Sequence, residues 1–354
     1  MNFEKLIEAA IKLNASDIHI VAGLPPALRV SGDIIMAKSE PLTRDEIREM
    51  VYALINEKQK EVLEEKFQLC FSINKNDNER VRVTVYMRAG SPELAIRLCN
   101  KNMKSRNELS LPEIIDKYIN KHSGLILITG PTGVGKTTTM NYLIDRINSE
   151  CRCKIVTIED PVEYIHPHKK AIVIQQELYA DVTSFSSALV HVLRQDPDVI
   201  CVGEMRDYET ISTALTAAET GHLVVATLHT PDVCQTIERI ISVFPPAQQP
   251  QVIVQLANCV QLIIAQQLIP TVNRKSRVLA TEVLVGTLAV KNVIRSNESF
   301  KLYSIIQSGS SQGMHTMDSC LEDLYQKGLI SYDSMITRAT YPDLIRKRYN
   351  ESNV

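Results

Sequence analysis

The chain has no uninterrupted apolar run near the roughly 18 residues that a membrane span needs. Its first residues, Met1-Asn2-Phe3-Glu4-Lys5, lack the basic start and apolar core of a signal peptide. Both absences point to a cytoplasmic protein with no transmembrane segment of its own. The cysteines make no metal spacing either. Eight stand at 70, 99, 151, 153, 201, 234, 259 and 320, none in Cys-x-x-Cys, and Cys151-Arg152-Cys153 has no second pair to complete a tetrahedral zinc site. Reduced, mostly buried thiols are expected, and no zinc. Nor is there a surplus of charge: 39 basic against 41 acidic residues leave a formal net charge of -2, so no overall basic field recommends nucleic acid as a partner. No low-complexity tract or 20-to-50-residue repeat is present. What remains is ordinary globular sequence, 44% hydrophobic and 23% charged, whose 354 residues fit two domains.

The strongest positive feature is Gly130-Pro131-Thr132-Gly133-Val134-Gly135-Lys136-Thr137, followed by Thr138, which fills the Gly-x-x-x-x-Gly-Lys-Thr template at every specified position. Glycines let the backbone curl until successive N–H groups face inward. Lys136 supplies a point charge for the outer phosphates, and Thr137 offers a hydroxyl to Mg²⁺. The context is the required one. An apolar run, 124–129, precedes the loop, and Met140, Leu143, Ile144 and Ile147 follow at helical spacing. A nucleoside triphosphate, ATP, is the expected ligand.

Before the loop, Phe3, Leu6, Ile7, Ala10 and Ile11 predict a helix, Asp17–Val21 a strand, 28–35 a hairpin interrupted by Ser31-Gly32-Asp33, and 43–66 two helices. Residues 67–73 and 80–86 alternate polar with apolar on either side of a polar loop at 74–79, and 93–99 gives a third strand. The first hundred residues therefore predict a small α+β domain with an antiparallel sheet. Residues 100–112 carry little apolar periodicity and suggest a linker. Beyond it, strand candidates at 154–158, 198–202 and 223–228 alternate with helices at 184–195 and 207–219, the pattern of a mostly parallel α/β sheet. From about 250 onward, Val254, Ala257, Val260, Ile264 and Leu268 suggest helix, as does 321–329.

Ligands of parallel α/β sheets bind at strand ends, and three strand ends carry chemistry. The first is Glu159-Asp160-Pro161-Val162-Glu163, where Glu159 or Glu163 is placed to orient water, although a solvated strand exit accounts for three acids equally well. The second is Val199 to Gly203 followed by Glu204, in the place where phosphate-loop ATPases carry an acid for Mg²⁺, usually Asp. The longer Glu204 would reach Mg²⁺ through water or act as the base that positions the nucleophile, and it takes the main catalytic role. The third end is bracketed by His222 and His229. Either is a structural donor or, for His229, a group that hydrogen-bonds the terminal phosphate region. A cation for the leaving phosphate is missing from the loop. Arg82 and Arg97, on strands of the first domain, are candidates, though arginines on the polar face of a half-exposed sheet are unremarkable.

Together the loop, the segment 158–163, the run Arg194-Gln195-Asp196-Pro197-Asp198 through Gly203-Glu204-Met205-Arg206-Asp207, and Thr216 through His229-Thr230 resemble the Walker A, Asp box, Walker B and His box of the ATPases that power type II secretion and type IV pili. Ser16-Asp17-Ile18-His19, Gly23-Leu24-Pro25-Pro26, Ile306-Gln307-Ser308-Gly309 and Gly313 to Asp318 are most similar to the pilus retraction ATPases, and the similarity covers nearly the whole chain. The resemblance implies a RecA-like P-loop NTPase core, a smaller PAS-like α+β N-terminal domain and a helical C-terminal region. The corresponding boundaries are 1–99, a linker at 100–121, 122–270 and 271–354. It also implies a homohexameric ring in which Arg82 and Arg97 reach a nucleotide, catalytic Glu163 and Glu204, and His222 and His229 as the box histidines. Extension-type relatives carry a tetracysteine zinc motif and a longer N-terminal region, and this chain has neither.

One segment departs from the family: Ala289-Val290-Lys291-Asn292-Val293-Ile294-Arg295-Ser296 has Lys and Ser where retraction ATPases have Arg and Glu. The expectation is a Mg²⁺-dependent ATPase that drives pilus retraction and twitching motility through domain motion on an inner-membrane pilus platform protein. Its own association with the membrane machinery would be peripheral. The alternatives are a pilus extension or secretion ATPase of the same family, a nucleic-acid translocase, or a subunit that binds ATP without turnover.

Overall fold

The computed structural model describes residues 3–13, 15–30, 33–76, 79–98, 103–274 and 276–351. The expected turn at Ser31-Gly32, the centre of the loop at 77–78, and Cys99 with the start of the linker at 100–102 lie outside the described residues. The chain forms two compact units: Met1–Met103 with Ile158–Pro167 and Gln175–Ala188, and Lys104–Thr157 with His168–Ile174 and Leu189–Val354. Residues 104–121, expected to be linker, thus belong to the second unit. There Ile114, Ile115, Tyr118 and Ile119 are buried.

In the first unit the elements are α1 (Phe3–Lys12), β1 (Ala15–Ile20), β2 (Ala27–Val30), β3 (Asp33–Met36), α2 (Arg44–Leu54), α3 (Glu57–Lys66), β4 (Gln68–Asn76), β5 (Glu79–Arg88) and β6 (Ser91–Leu98). Their sheet has the order β3-β2-β1-β6-β5-β4, and its neighbours are antiparallel. Capping boxes at Thr43/Glu46 and Asn56/Gln59 start α2 and α3. Period-two alternation decides which face is buried. Val81, Val83, Val85, Leu94 and Ile96 join Ile7, Ala10, Ile47 and Val51 in one core. Register on the opposite parity sets Asp17 against Arg97, Arg97 against Arg82, and Arg82 against Ser72, one lateral row across four strands.

The second sheet has the order β13-β12-β7-β11-β10-β8-β9. Its strands are β7 (Gly124–Thr129), β8 (Lys154–Glu159), β9 (Ile172–Glu177), β10 (Val199–Val202), β11 (Leu223–Leu228), β12 (Val260–Pro270) and β13 (Arg277–Val285). Strands β10, β11, β7 and β12 run parallel, and β13 returns antiparallel. Every residue of β7 and β11 is buried, as expected of parallel strands covered on both faces. The helices are α4 (Arg106–Leu109), α5 (Lys136–Glu150), α6 (Phe185–Val192), α7 (Tyr208–Glu219), α8 (Val233–Ser242), α9 (Gln249–Cys259), α10 (Leu288–Arg295), α11 (Leu302–Ser308), α12 (Met317–Gln326), α13 (Tyr332–Arg338) and α14 (Pro342–Glu351). Met317, Leu321, Leu324, Met335 and Ile345 close a core of their own over Ile269 and Ala280.

Three expectations are corrected. Helical spacing stops at Cys259, and Val260, Ile264 and Leu268 lie on β12. A step of four is a multiple of the strand period and close to one helical turn, so those positions satisfy both patterns. Residues 271–354 accordingly hold β13 at Arg277–Val285 ahead of their helices. The polar loop at 74–79 is narrower than expected, because β4 reaches Asn76 and β5 begins at Glu79. Finally, α6 ends at Val192 rather than 195.

Candidate active site

The phosphate loop leaves β7, an interior strand between β12 and β11, and enters α5 through Gly135, whose φ of 92° is left-handed and which makes no side-chain cap. The first-turn N–H groups of α5 are therefore left for an anion, with the positive end of the helix dipole behind them. Gly130 is tightly constrained. At φ +134°, a Cβ there would stand 2.4 Å from the carbonyl oxygen of Gln266 and 3.0 Å from Val134 Cγ2. The β7–β12 register explains the contact: Ala265 pairs with Thr129, so Gln266 meets the loop's first residue. The fully buried Gln266 side chain donates from Nε2 to Thr139 Oγ1 at 2.7 Å, one turn into α5. Gln266 thus braces the loop from both ends.

Lys136 is buried, and its ammonium donates to the carbonyls of Gly130 at 2.7 Å and Pro131 at 2.9 Å. Burial lowers its pKa, against the opposing pull of Glu204. Thr132 and Thr138 are exposed and Thr137 is half-buried. Glu204 follows β10, and Met205 N donates to Thr227 O at 3.0 Å, tying this exit to β11. His229 follows β11, so the two side chains meet: His229 Nε2 lies 3.0 Å from Glu204 Oε2. A carboxylate accepts, which places the ring proton on Nε2 and leaves Nδ1 of the neutral ring as an acceptor. That nitrogen is 3.5 Å from Lys136 Nζ and 3.4 Å from Thr132 Oγ1. The other oxygen of Glu204 takes Arg206 Nη2 at 2.5 Å. Loop lysine, histidine and acid thus form one connected chain.

His222 stands at the opposite end of β11. Its Nδ1 is 3.1 Å from Ala217 O, where it caps the last turn of α7. Six strand residues, about 20 Å, separate it from His229. Within this chain it is not brought to the loop.

The remaining predicted residues lie in the first unit. Glu159 is buried and accepts from Gln175 Nε2 at 3.0 Å. Glu163 accepts from Arg82 Nη1 at 3.0 Å, and Arg82 Nε reaches Cys70 Sγ at 3.2 Å. Arg97, its cross-strand neighbour, donates to Asp17 Oδ1 at 2.9 Å from a side chain 65% exposed. Two arginines directly opposite repel, and Asp17 and Glu163 offset that at either side. Arg82 is the more buried and more firmly anchored of the two.

Thr137 offers a hydroxyl and Glu204 a carboxylate, hard oxygens of the kind Mg²⁺ prefers. Among the described residues no helix is long and apolar enough to cross a membrane.

The chain has relatives that match it over nearly its whole length. The family described as "Type II/IV secretion system protein" matches residues 2–321. The type IV pilus retraction ATPase PilT of Pseudomonas aeruginosa is 40% identical over 343 residues, 97% of this chain and 99% of that protein. The twitching motility protein of Neisseria gonorrhoeae is 39% identical over 319 residues, covering 90% of this chain and 85% of that protein. A crystal structure of the pilus retraction motor PilT with bound ADP superposes with a TM-score of 0.90 at 42% identity, covering 98% of this chain and 99% of the other.

Proposed function

Because the chain belongs to the type II/IV secretion system protein family, whose RecA-like ATPase fold it has, we propose that it is the motor that retracts type IV pili. It is a P-loop ATPase of that family. Its nearly full-length likeness to a retraction ATPase and to a twitching motility protein supports the direction of work. The observation that carries the chemistry is the connected set of Lys136, His229 and Glu204 at adjoining strand ends.

In the proposed reaction, the loop from 130 to 138, through the backbone N–H groups of its residues other than Pro131, and the Lys136 ammonium bind the outer phosphates of ATP. Glu204 orients the attacking water and takes up its proton, and His229 Nε2–H steadies the carboxylate in that pose. Thr137 and, through water, Glu204 would hold Mg²⁺, which neutralises phosphate charge when bound. Glu163 supports Arg82, and Arg82 with Arg97 supplies positive charge toward the leaving phosphate of a neighbouring copy. Such arginines are worth roughly 10³ to 10⁵ in rate. The assembly is a homohexameric ring of PAS-like first domains and RecA-like second domains. It is cytoplasmic and peripheral to the membrane, and works on the pilus platform protein at the inner membrane.

Glu204→Gln is the direct experiment. The amide keeps size and hydrogen bonding but cannot accept the proton, so steady-state ATPase activity should fall by about 10² or more while nucleotide binding persists. Undiminished hydrolysis by the assembled variant would remove the catalytic assignment.

A further inference from the structure

The Arg82–Glu163 pair is presented by two segments far apart in sequence, β5 and the loop after β8. What fixes one against the other is a third residue. Glu177, the last residue of β9, is 3% exposed. Its carboxylate receives Ser72 N at 2.9 Å and Val162 N at 3.2 Å. The Ser72 hydroxyl and Arg80 Nη2 also donate to it, and Arg80 Nε in turn donates to Ser72 Oγ at 2.6 Å.

The identity of these donors is informative. Ser72 is the cross-strand partner of Arg82 in the β4–β5 ladder. Val162 immediately precedes Glu163. One buried carboxylate therefore holds the backbone of the strand paired with Arg82, the backbone next to Glu163 and, through Arg80, the strand that carries Arg82, with its acceptor sites filled by two amides, a hydroxyl and a guanidinium. We infer that Glu177 is a positioning residue that sets the Arg82–Glu163 geometry and, through it, the rate of ATP hydrolysis. The inference rests on the proposed part of that pair in hydrolysis. Glu177 does not touch nucleotide in this scheme. A glutamine there keeps the shape but turns one end of the group into a donor facing donors, so the Val162 and Ser72 segments lose their common anchor.

The experiment compares the full-length chain with Glu177→Gln, Arg82→Ala, Glu163→Gln and the double variant Glu177→Gln/Arg82→Ala, measuring kcat and the Kd for ADP. Glu177→Gln should lower kcat about tenfold and shift the ADP Kd less than about twofold, because the phosphate loop lies in the other unit. In the Arg82→Ala background the same change should cost less than about twofold more, since its target is already gone. Glu177→Asp, which keeps the charge one methylene short, should recover part of the rate.

Wild-type kcat in Glu177→Gln overturns the inference. Losses that multiply in the double variant also overturn it, because they report a brace unconnected with Arg82. If Glu177→Gln fails to fold, Glu177→Asp, whose shorter side chain cannot reach both the Ser72 and the Val162 amide as before, is judged by the same criterion, and wild-type kcat there is equally fatal. Normal rates in both Arg82→Ala and Glu163→Gln would end the proposed role of the pair and this inference with it. Reduced rates there beside a normal Glu177→Gln would end only the inference.

Discussion

Gly130 is the residue on which the phosphate loop turns, and its replacement is the sharpest local test. A methyl group there meets a backbone carbonyl of β12 at 2.4 Å, and a carbonyl held in a buried ladder cannot rotate away as a side-chain tip does. The φ of +134° adds strain for any L side chain. Gly130→Ala should therefore abolish nucleotide binding in a fluorescent-nucleotide titration, with the circular dichroism spectrum retained. Binding within about threefold of wild type would show that the loop tolerates a shift of β12. Gly133 is a useful contrast, because a Cβ there meets nothing within 4 Å and only its φ of +80° opposes substitution. The loop's glycines, its lysine and the acid Glu204 were legible in the sequence because each occupies a fixed step in a motif. Gln266 and Glu177 were not, since each acts across the chain on residues more than a hundred positions away.

At the scale of elements, strand β13 places a carboxylate where two helices begin. Glu282 Oε1 accepts from Val233 N at 2.9 Å, the first residue of α8, and Oε2 from Met317 N at 3.5 Å, the first of α12. Both helix dipoles favour the charged form. Burial outweighs them and, with Asp232 and Asp318 nearby, pushes the pKa up from the ordinary 4.5 to about 7. The folded state thus holds this proton more tightly than the unfolded chain does. The associated stability is fully present below 4.5 and is lost as pH rises through about 7, up to about 3 kcal/mol in all. Glu282→Gln removes the titration, so the Tm difference, variant minus wild type, should grow in the variant's favour between pH 5 and pH 8. A difference independent of pH would show that the carboxylate does not titrate in this window.

Legibility at this scale followed contrast in the pattern. The alternating strands of the first unit, with polar residues on one parity, were readable from the sequence. So were the short apolar runs of β7, β10 and β11 between helices. Strand β12 was misread, because Leu262, Ile263 and Ala265 are buried between its apolar fourth-residue positions and erase alternation. Strand β9 shows a strand signature only in Ile172-Val173-Ile174, a run too short to stand out once Gln175, Gln176 and Glu177 turn its second half polar.

For the whole molecule the question is the direction of work, and the departure at 289–296 is where sequence spoke against retraction. Lys291 Nζ donates to Asn258 O at 2.9 Å and Arg295 Nη2 to Asn258 Oδ1 at 2.9 Å, so α10 clamps the last turn of α9. Capping a helix carbonyl needs a point charge rather than a planar fork, and lysine meets that need. Ser296 closes α10 by donating its backbone N–H to Asn292 O, a bond that any side chain but proline permits. Lys291 and the Ser296 backbone thus keep α10 docked on α9 and closed at its end, and the direction of work is read from the relatives. Surface pilus number is a balance between assembly and withdrawal. If the motor withdraws pili, deleting its gene should leave the cells with more pili and no twitching, and restoring the wild-type gene should reverse both. The Glu204→Gln gene should fail to reverse either, because withdrawal requires hydrolysis. Electron-microscopic counts showing bald cells after deletion would instead assign the chain to assembly, with the same catalytic site working in the opposite direction.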